Sequence, residues 1–159
     1  MGKLFETPII KNFFLVNGKP TKLVGDPSHL IKAFDNYFLN TIDDENRGVN
    51  RVITFGENFQ KQWNLETNVV SKNAVIALIE FQENQESPLV PKLNKQVLER
   101  ATSRYGKMDV KPALIVFSKE TAAGIMTLVN YHNYPKEYLA TAQFIYQVEE
   151  NILQEILIK

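Results

Sequence analysis

Polar and apolar positions alternate and recur along the chain in a way that predicts a mixture of strands and helices. Ile9-Ile10-Lys11-Asn12-Phe13-Phe14-Leu15-Val16 is β-branched and aromatic, and Asn17-Gly18, a pair that tolerates the positive φ of a tight turn, follows at once. Thr21–Val24 is the expected return strand of that hairpin. After Gly25-Asp26-Pro27-Ser28, with Asp26 placed to cap and Pro27 to open a helix, Leu30, Ile31, Phe34, Tyr37, Phe38 and Ile42 recur at three- and four-residue steps. That spacing predicts a helix over residues 27–42.

Val49–Phe55 reads as a short strand, and Leu65, Thr67 and Val69 alternate as a second β region. The run Ala74-Val75-Ile76-Ala77-Leu78-Ile79-Glu80-Phe81 is apolar on both faces and is expected to be a strand in the sheet interior. A polar loop with two prolines follows over Gln82–Pro91. Leu93, Val97, Leu98, Ala101 and Tyr105 then keep helical spacing up to Gly106. Val110–Phe117 is expected to be a further buried strand, with Pro112 marking its beginning at an edge. Residues 119–133 fit either state: Ala122, Ile125, Met126 and Val129 suit a helix, whereas Gly124 and the run Ile125–Tyr131 suit a strand. Leu139, Ala142, Ile145, Ile152, Leu153 and Ile156 form one stripe of a long amphipathic helix over 135–157. The expected fold is α+β: a single mixed, mostly antiparallel sheet with an N-terminal hairpin, packed by two to four helices. No internal repeat or composition shift divides residues 1–159, so one domain is expected.

Composition sharpens this picture mainly by exclusion. Apolar residues make up 44% of the 159 positions and charged residues 23%, which is the profile of a globular chain and not of a disordered one. Eighteen basic residues balance eighteen acidic ones, so no global field draws in nucleic acid or an anionic membrane. The absence of cysteine rules out disulfides and thiolate chemistry. The amino end has neither the basic-apolar pattern of a signal peptide nor a lipidation signal, and no uninterrupted apolar run approaches the ~18 residues of a bilayer span. A cytoplasmic location, or assembly in a host cytoplasm, is the resulting expectation, with no membrane partner.

The search for chemistry starts from the two histidines. His29 lies in the first turn of the 27–42 helix, a capping or surface position. His132 stands in Asn130-Tyr131-His132-Asn133-Tyr134, a run of hydrogen-bonding side chains, and with Glu80 at the end of an apolar run it defines the group an enzyme would have to use: His132, Tyr131, Tyr134 and Glu80. The plainer reading of His132 is a loop histidine packed between tyrosines. Two histidines without cysteine make a zinc site improbable, and no other cofactor is expected. Gly18-Lys19-Pro20-Thr21 lacks the upstream glycine and the helix that a phosphate loop requires. Asp26, Glu57, Glu80 and Glu83 are the carboxylates a metal-dependent nuclease could use, but no lysine accompanies Glu80.

Charge is unevenly placed. From Lys92 to Lys111 six basic residues stand against Glu99 and Asp109, and within this stretch Lys95, Arg100, Arg104, Lys107 and Lys111 are the candidate binding residues. Acidic residues gather in Asp43-Asp44-Glu45, in Glu80, Glu83 and Glu86, and in Glu149, Glu150 and Glu155. A basic face on one copy can therefore meet an acidic face on another, and such a head-to-tail contact closes into a ring when the rotation permits. These features point to a non-catalytic assembly or interaction subunit whose partners are other copies of itself and other protein subunits, by analogy a phage-type tail or neck component. The alternatives are a small enzyme or a nucleic-acid-binding protein with a site assembled from residues distant in sequence; only Tyr105 lies near the basic cluster to stack on a base.

Overall fold

The computed structural model describes residues 14–21, 38, 52–102 and 110–150. The 22–24 part of the expected return strand, the 103–106 end of the expected basic helix, the 151–157 end of the expected last helix, His29, and all of the expected 27–42 helix except Phe38 lie outside these residues. Phe38 itself has helical backbone and is completely buried.

Four short strands make one antiparallel sheet in the order β2-β1-β3-β4, with β1 at Phe14–Val16, β2 at Lys19–Pro20, β3 at Ile53–Phe55 and β4 at Val69–Val70. The expected hairpin is present. Asn17 and Gly18 have φ of 51° and 78°, the left-handed pair a two-residue turn needs for its twist to match the strands. Asn17 also ties the hairpin to β3: its N–H donates to the Val52 carbonyl at 2.8 Å and its side-chain oxygen accepts from the Val52 N–H at 2.9 Å. The return strand starts two residues earlier than expected, because the turn holds only Asn17 and Gly18.

Six helices are described: α1 (Glu57–Gln62), α2 (Asn73–Glu83), α3 (Lys95–Thr102), α4 (Lys111–Val116), α5 (Lys119–Tyr131) and α6 (Tyr138–Val148). The α+β class stands, but two expected strands are helices, so the helices outnumber the expected two to four and the described sheet is wholly antiparallel. Residues 74–81 form the body of α2. Its buried positions Ala74, Val75, Leu78, Ile79 and Gln82 follow helical steps, and the remaining apolar side chains, Ile76, Ala77 and Phe81, are half-buried on its other flanks. An apolar run covered on several sides loses the period that would separate strand from helix. Residues 111–116 form α4, in which Pro112 occupies the first helical turn, where its missing N–H costs nothing.

The segment that fitted either state is the helix α5. Ser118 caps it by accepting from the Thr121 N–H at 3.2 Å, and Gly124 is buried where α5 meets α2. Lys111–Tyr131 has the length and composition of a membrane-crossing helix, yet the extended backbone of Ser118 divides it into α4 and α5, and 56% of its apolar 18-residue stretch is buried within the protein. α5 packs chiefly on α6 and next on α2, which accounts for its hydropathy. α6 is not the one-sided surface helix expected: eight of its eleven residues are buried, including Thr141, Gln143 and Gln147. A helix enclosed around most of its circumference has no solvent face on which to display a polar stripe.

The core joins sheet to helices through four phenylalanines. Phe144 of α6 stacks on Phe38 at 6.0 Å and meets Phe14 of β1 edge-on at 5.7 Å, and Phe117 closes against both Phe38 and Phe144. Edge-to-face pairs of this kind add to the burial of ring area.

Candidate functional site

The C-terminal end of α5 builds an aromatic corner. The Leu128 carbonyl accepts from the N–H groups of both His132 and Tyr134, and Asn133 between them has φ of 57°, a left-handed conformation that asparagine tolerates. This reversal carries the chain back over α2. The His132 ring lies 4.5 Å from that of Phe81, and Tyr134 meets Phe81 edge-on at 6.1 Å and Tyr138 at 6.4 Å. Tyr131, 78% exposed, stands at the outer rim.

Of the four residues singled out for an enzyme, His132 and Tyr134 thus meet on one ring, Glu80 is its sequence neighbour, and Tyr131 faces solvent. Tyr138 completes the group. Its hydroxyl is held above the ordinary tyrosine value, first by burial and then by the negative charge of Glu137, by Tyr134 and by Glu80. Both carboxylates therefore lie close enough to act on one phenol. His132, by contrast, is exposed and makes a ring contact, with no hydrogen bond or ion pair to a carboxylate among the described residues. The corner presents ring faces and edges flanked by the exposed Glu80 and Glu137. Among the described residues, no nucleophile, base and orienting group stand within hydrogen-bond reach of one another at this corner.

On the basic stretch, Lys95 and Arg100 of α3 and Lys111 of α4 are exposed, and α3 packs against α4. Arg104 and Lys107 lie outside the described residues. Lys95 forms an ion pair with Glu83 at 3.3 Å, the two side chains 64% and 45% exposed, so the basic helix touches the acidic end of α2 within the same chain. Glu99 is exposed on α3 as well, and charge of both signs is interspersed on this helix.

A third cluster was not legible in the sequence. Lys119, the first residue of α5, places Nζ 2.6 Å from Glu150 and 3.7 Å from Glu149, and 5.5 Å from the Tyr146 ring centre. Glu149 and Glu150 occupy a π-helical turn that continues α6. Lys119 is held above its ordinary value, first by its hydrogen bond to Glu150, with burial opposing. Burial pushes Glu149 up more than the attraction of Lys119 pulls it down, and its buried Oε2 has no hydrogen bond among the described residues. Roughly thirty positions separate Lys119 from these acids in the sequence, so no local spacing signals the contact. It neutralises much of what the sequence presents as an acidic patch.

The carboxylates considered for metal chemistry do not assemble. Glu57 borders an open hollow of about 410 Å³ lined also by Gln60, Lys61, Asn64 and Leu65, Glu83 is engaged by Lys95, and Asp26 lies outside the described residues. Among the described residues no group of three or more histidine or carboxylate side chains is arranged to hold a metal ion. Gly18-Lys19-Pro20 is a hairpin turn leading into β2, with no helix N-terminus to receive a phosphate. Comparison with protein families, curated proteins and solved structures gives no match for the chain.

Proposed function

We propose that this chain is a non-catalytic assembly subunit that self-associates and docks other protein subunits through its surface. The observation that carries this reading is the aromatic corner: half-buried Phe81, Tyr134 and Tyr138 and exposed Tyr131 and His132 gathered at one place, open to solvent and bordered by Glu80 and Glu137. Large rigid aromatic side chains give contact area at low entropic cost, and tyrosine is concentrated at protein interfaces for that reason. The exposed cations of α3 and α4 are a second, chemically complementary surface. With equal numbers of acidic and basic residues, association meets no net charge repulsion.

Sedimentation velocity over a wide concentration range tests the proposal. A defined oligomer that loosens as salt is raised is the expected result, since exposed charge pairs are screened over about 10 Å at 0.1 M salt. A chain that stays monomeric at high concentration in low salt overturns it.

A further inference from the structure

We propose that the aromatic corner is the surface through which two copies of this chain pair about a two-fold axis, ring against ring, with Lys136 of each copy opposite Glu80 and Glu137 of the other; this rests on the assembly reading above and gives it a contact surface.

Three observations point to a second copy as the occupant. First, the rings are packed on one another, with centroids 4.5 Å apart for Phe81 and His132 and 6.4 Å for Tyr134 and Tyr138, so no slot opens between them for a small guest. What the corner offers is outer ring faces and edges, with the exposed Tyr131 beside them, and it takes another surface to cover these. Second, Glu80, Lys136 and Glu137 are all exposed, and none of them makes an ion pair among the described residues. The corner therefore carries unmatched charge of both signs. A wholly acidic or wholly basic partner meets like charge at one of these positions, whereas a second copy of the same corner sets each charge against its opposite. Third, the two signs are kept apart. Glu137 and Glu80 both act on the Tyr138 hydroxyl, and Lys136, although it directly precedes Glu137, does not. The acids thus converge at the Tyr138 edge of the ring cluster with the ammonium away from it, which is the separation a two-fold contact needs to avoid a like-charge clash.

A two-fold contact makes every interaction twice and closes at two copies. Exposed ion pairs contribute little by themselves, so the covered ring area supplies the affinity while Lys136, Glu80 and Glu137 fix partner and orientation. The same combination occurs within the chain, where the Lys119 ammonium meets both Glu149 and Glu150 and lies 5.5 Å from the Tyr146 ring centre.

Charge reversal in the full chain, followed by sedimentation velocity at low salt, tests this. Lys136→Glu leaves only acids at the three positions, and Glu80→Lys/Glu137→Lys leaves only bases. Each variant alone is expected to self-associate about tenfold or more weakly than wild type, because like charges then meet across the axis. Mixed one to one, the two are expected to recover a dimer containing one copy of each. Tyr131→Ala, at a side chain with little burial to lose, is expected to weaken the dimer as well, and circular dichroism checks that all three variants keep the fold. Association at wild-type strength by either charge variant or by Tyr131→Ala, or a mixture no stronger than its components, overturns the corner as the self-contact while leaving the assembly reading intact. A wild-type assembly with an odd number of copies also overturns it, since a two-fold contact joins copies in pairs. A wild-type chain that never associates overturns both readings.

Discussion

The side-chain amide of Gln82 pairs with both backbone polar groups of Val90: its Oε1 accepts from the Val90 N–H and its Nε2 donates to the Val90 carbonyl, each at 2.9 Å. The same Nε2 donates to the Leu93 carbonyl at 2.6 Å. A buried glutamine at the end of α2 thereby does for the 84–94 loop what a neighbouring strand does in a sheet. It holds Val90 and Leu93 in the core and sets where α3 begins.

Gln82→Leu keeps the approximate volume, takes from the Val90 N–H and the Leu93 carbonyl the partner each has in Gln82, and leaves the Val90 carbonyl with only its bond from the Leu93 N–H at 3.0 Å. A loss of about 2–4 kcal/mol is expected, since each unsatisfied buried group costs about 1–3 kcal/mol and part of the loop will relax toward water. Urea unfolding followed through Trp63, the sole tryptophan and a buried one, measures it. A loss under about 0.5 kcal/mol, the range of neutral surface changes, would show that the loop is held by its apolar residues alone.

Thr141 joins α6 to the end of β4 in the same manner. Its hydroxyl accepts from the Ser71 N–H and donates to the Ser71 carbonyl, both at 3.0 Å. Thr141→Val preserves shape and removes both bonds, with an expected cost of about 1–3 kcal/mol, while Thr141→Ser keeps the hydroxyl and is expected to cost less. If valine is tolerated and serine is the more destabilising of the two in thermal unfolding, the methyl group and not the hydroxyl is what matters at this site.

What could be read from the sequence, and what could not, follows from how burial is distributed. The hairpin was legible because Asn17-Gly18 imposes its own geometry whatever surrounds it. The β3 segment and the helix beginning near Lys95 were legible because each shows one apolar face. α2 and α4 were misread as strands: their apolar residues meet neighbours on more than one side, so the pattern records burial without recording period. Gln82 gave the one usable clue, a polar residue in step with Ala74, Val75, Leu78 and Ile79, whose burial becomes intelligible only when Val90 is folded against it. The aromatic corner was half legible. The tyrosines around His132 suggested a cluster, but Phe81 and Tyr138, which give it a floor and an edge, come from other elements.

Gly124 lies where α5 crosses α2. A Cβ there would stand 3.0 Å from Leu78 Cδ2 and 3.0 Å from Val90 Cγ2, both side chains buried in the core. Glycine in a helix ordinarily costs about 1 kcal/mol against alanine, so Gly124→Ala sets that gain against a steric penalty of similar size. Gly124→Leu has no such balance and is expected to destabilise by about 1–3 kcal/mol through overpacking. A leucine variant that melts at the wild-type temperature would mean that α5 and α2 separate without cost.

The Lys119 cluster makes a prediction about pH. Glu149 is surrounded by Lys119, Glu150, Glu120 and Tyr146, and burial raises its pKa above the unfolded value despite the lysine. From the ordinary glutamate value up to the raised one, the folded chain therefore binds more protons than the unfolded chain, so this group's contribution falls as pH rises through that window and is a net cost at neutrality. Glu149→Gln removes the charge and keeps the shape; it is expected to stabilise the protein at neutral pH, with the difference from wild type vanishing once the medium is acidic enough to protonate the unfolded glutamate. Glu150→Gln is the opposite case. It breaks the 2.6 Å bond that holds Lys119 and should cost up to about 1 kcal/mol at neutral pH. The raised lysine pKa means that this pairing is fully effective below the ordinary lysine value and is lost as pH climbs through the folded one. Chemical denaturation of the two variants across pH separates the acids, and equal destabilisation by both at neutral pH would show that attraction to Lys119, not burial, governs Glu149.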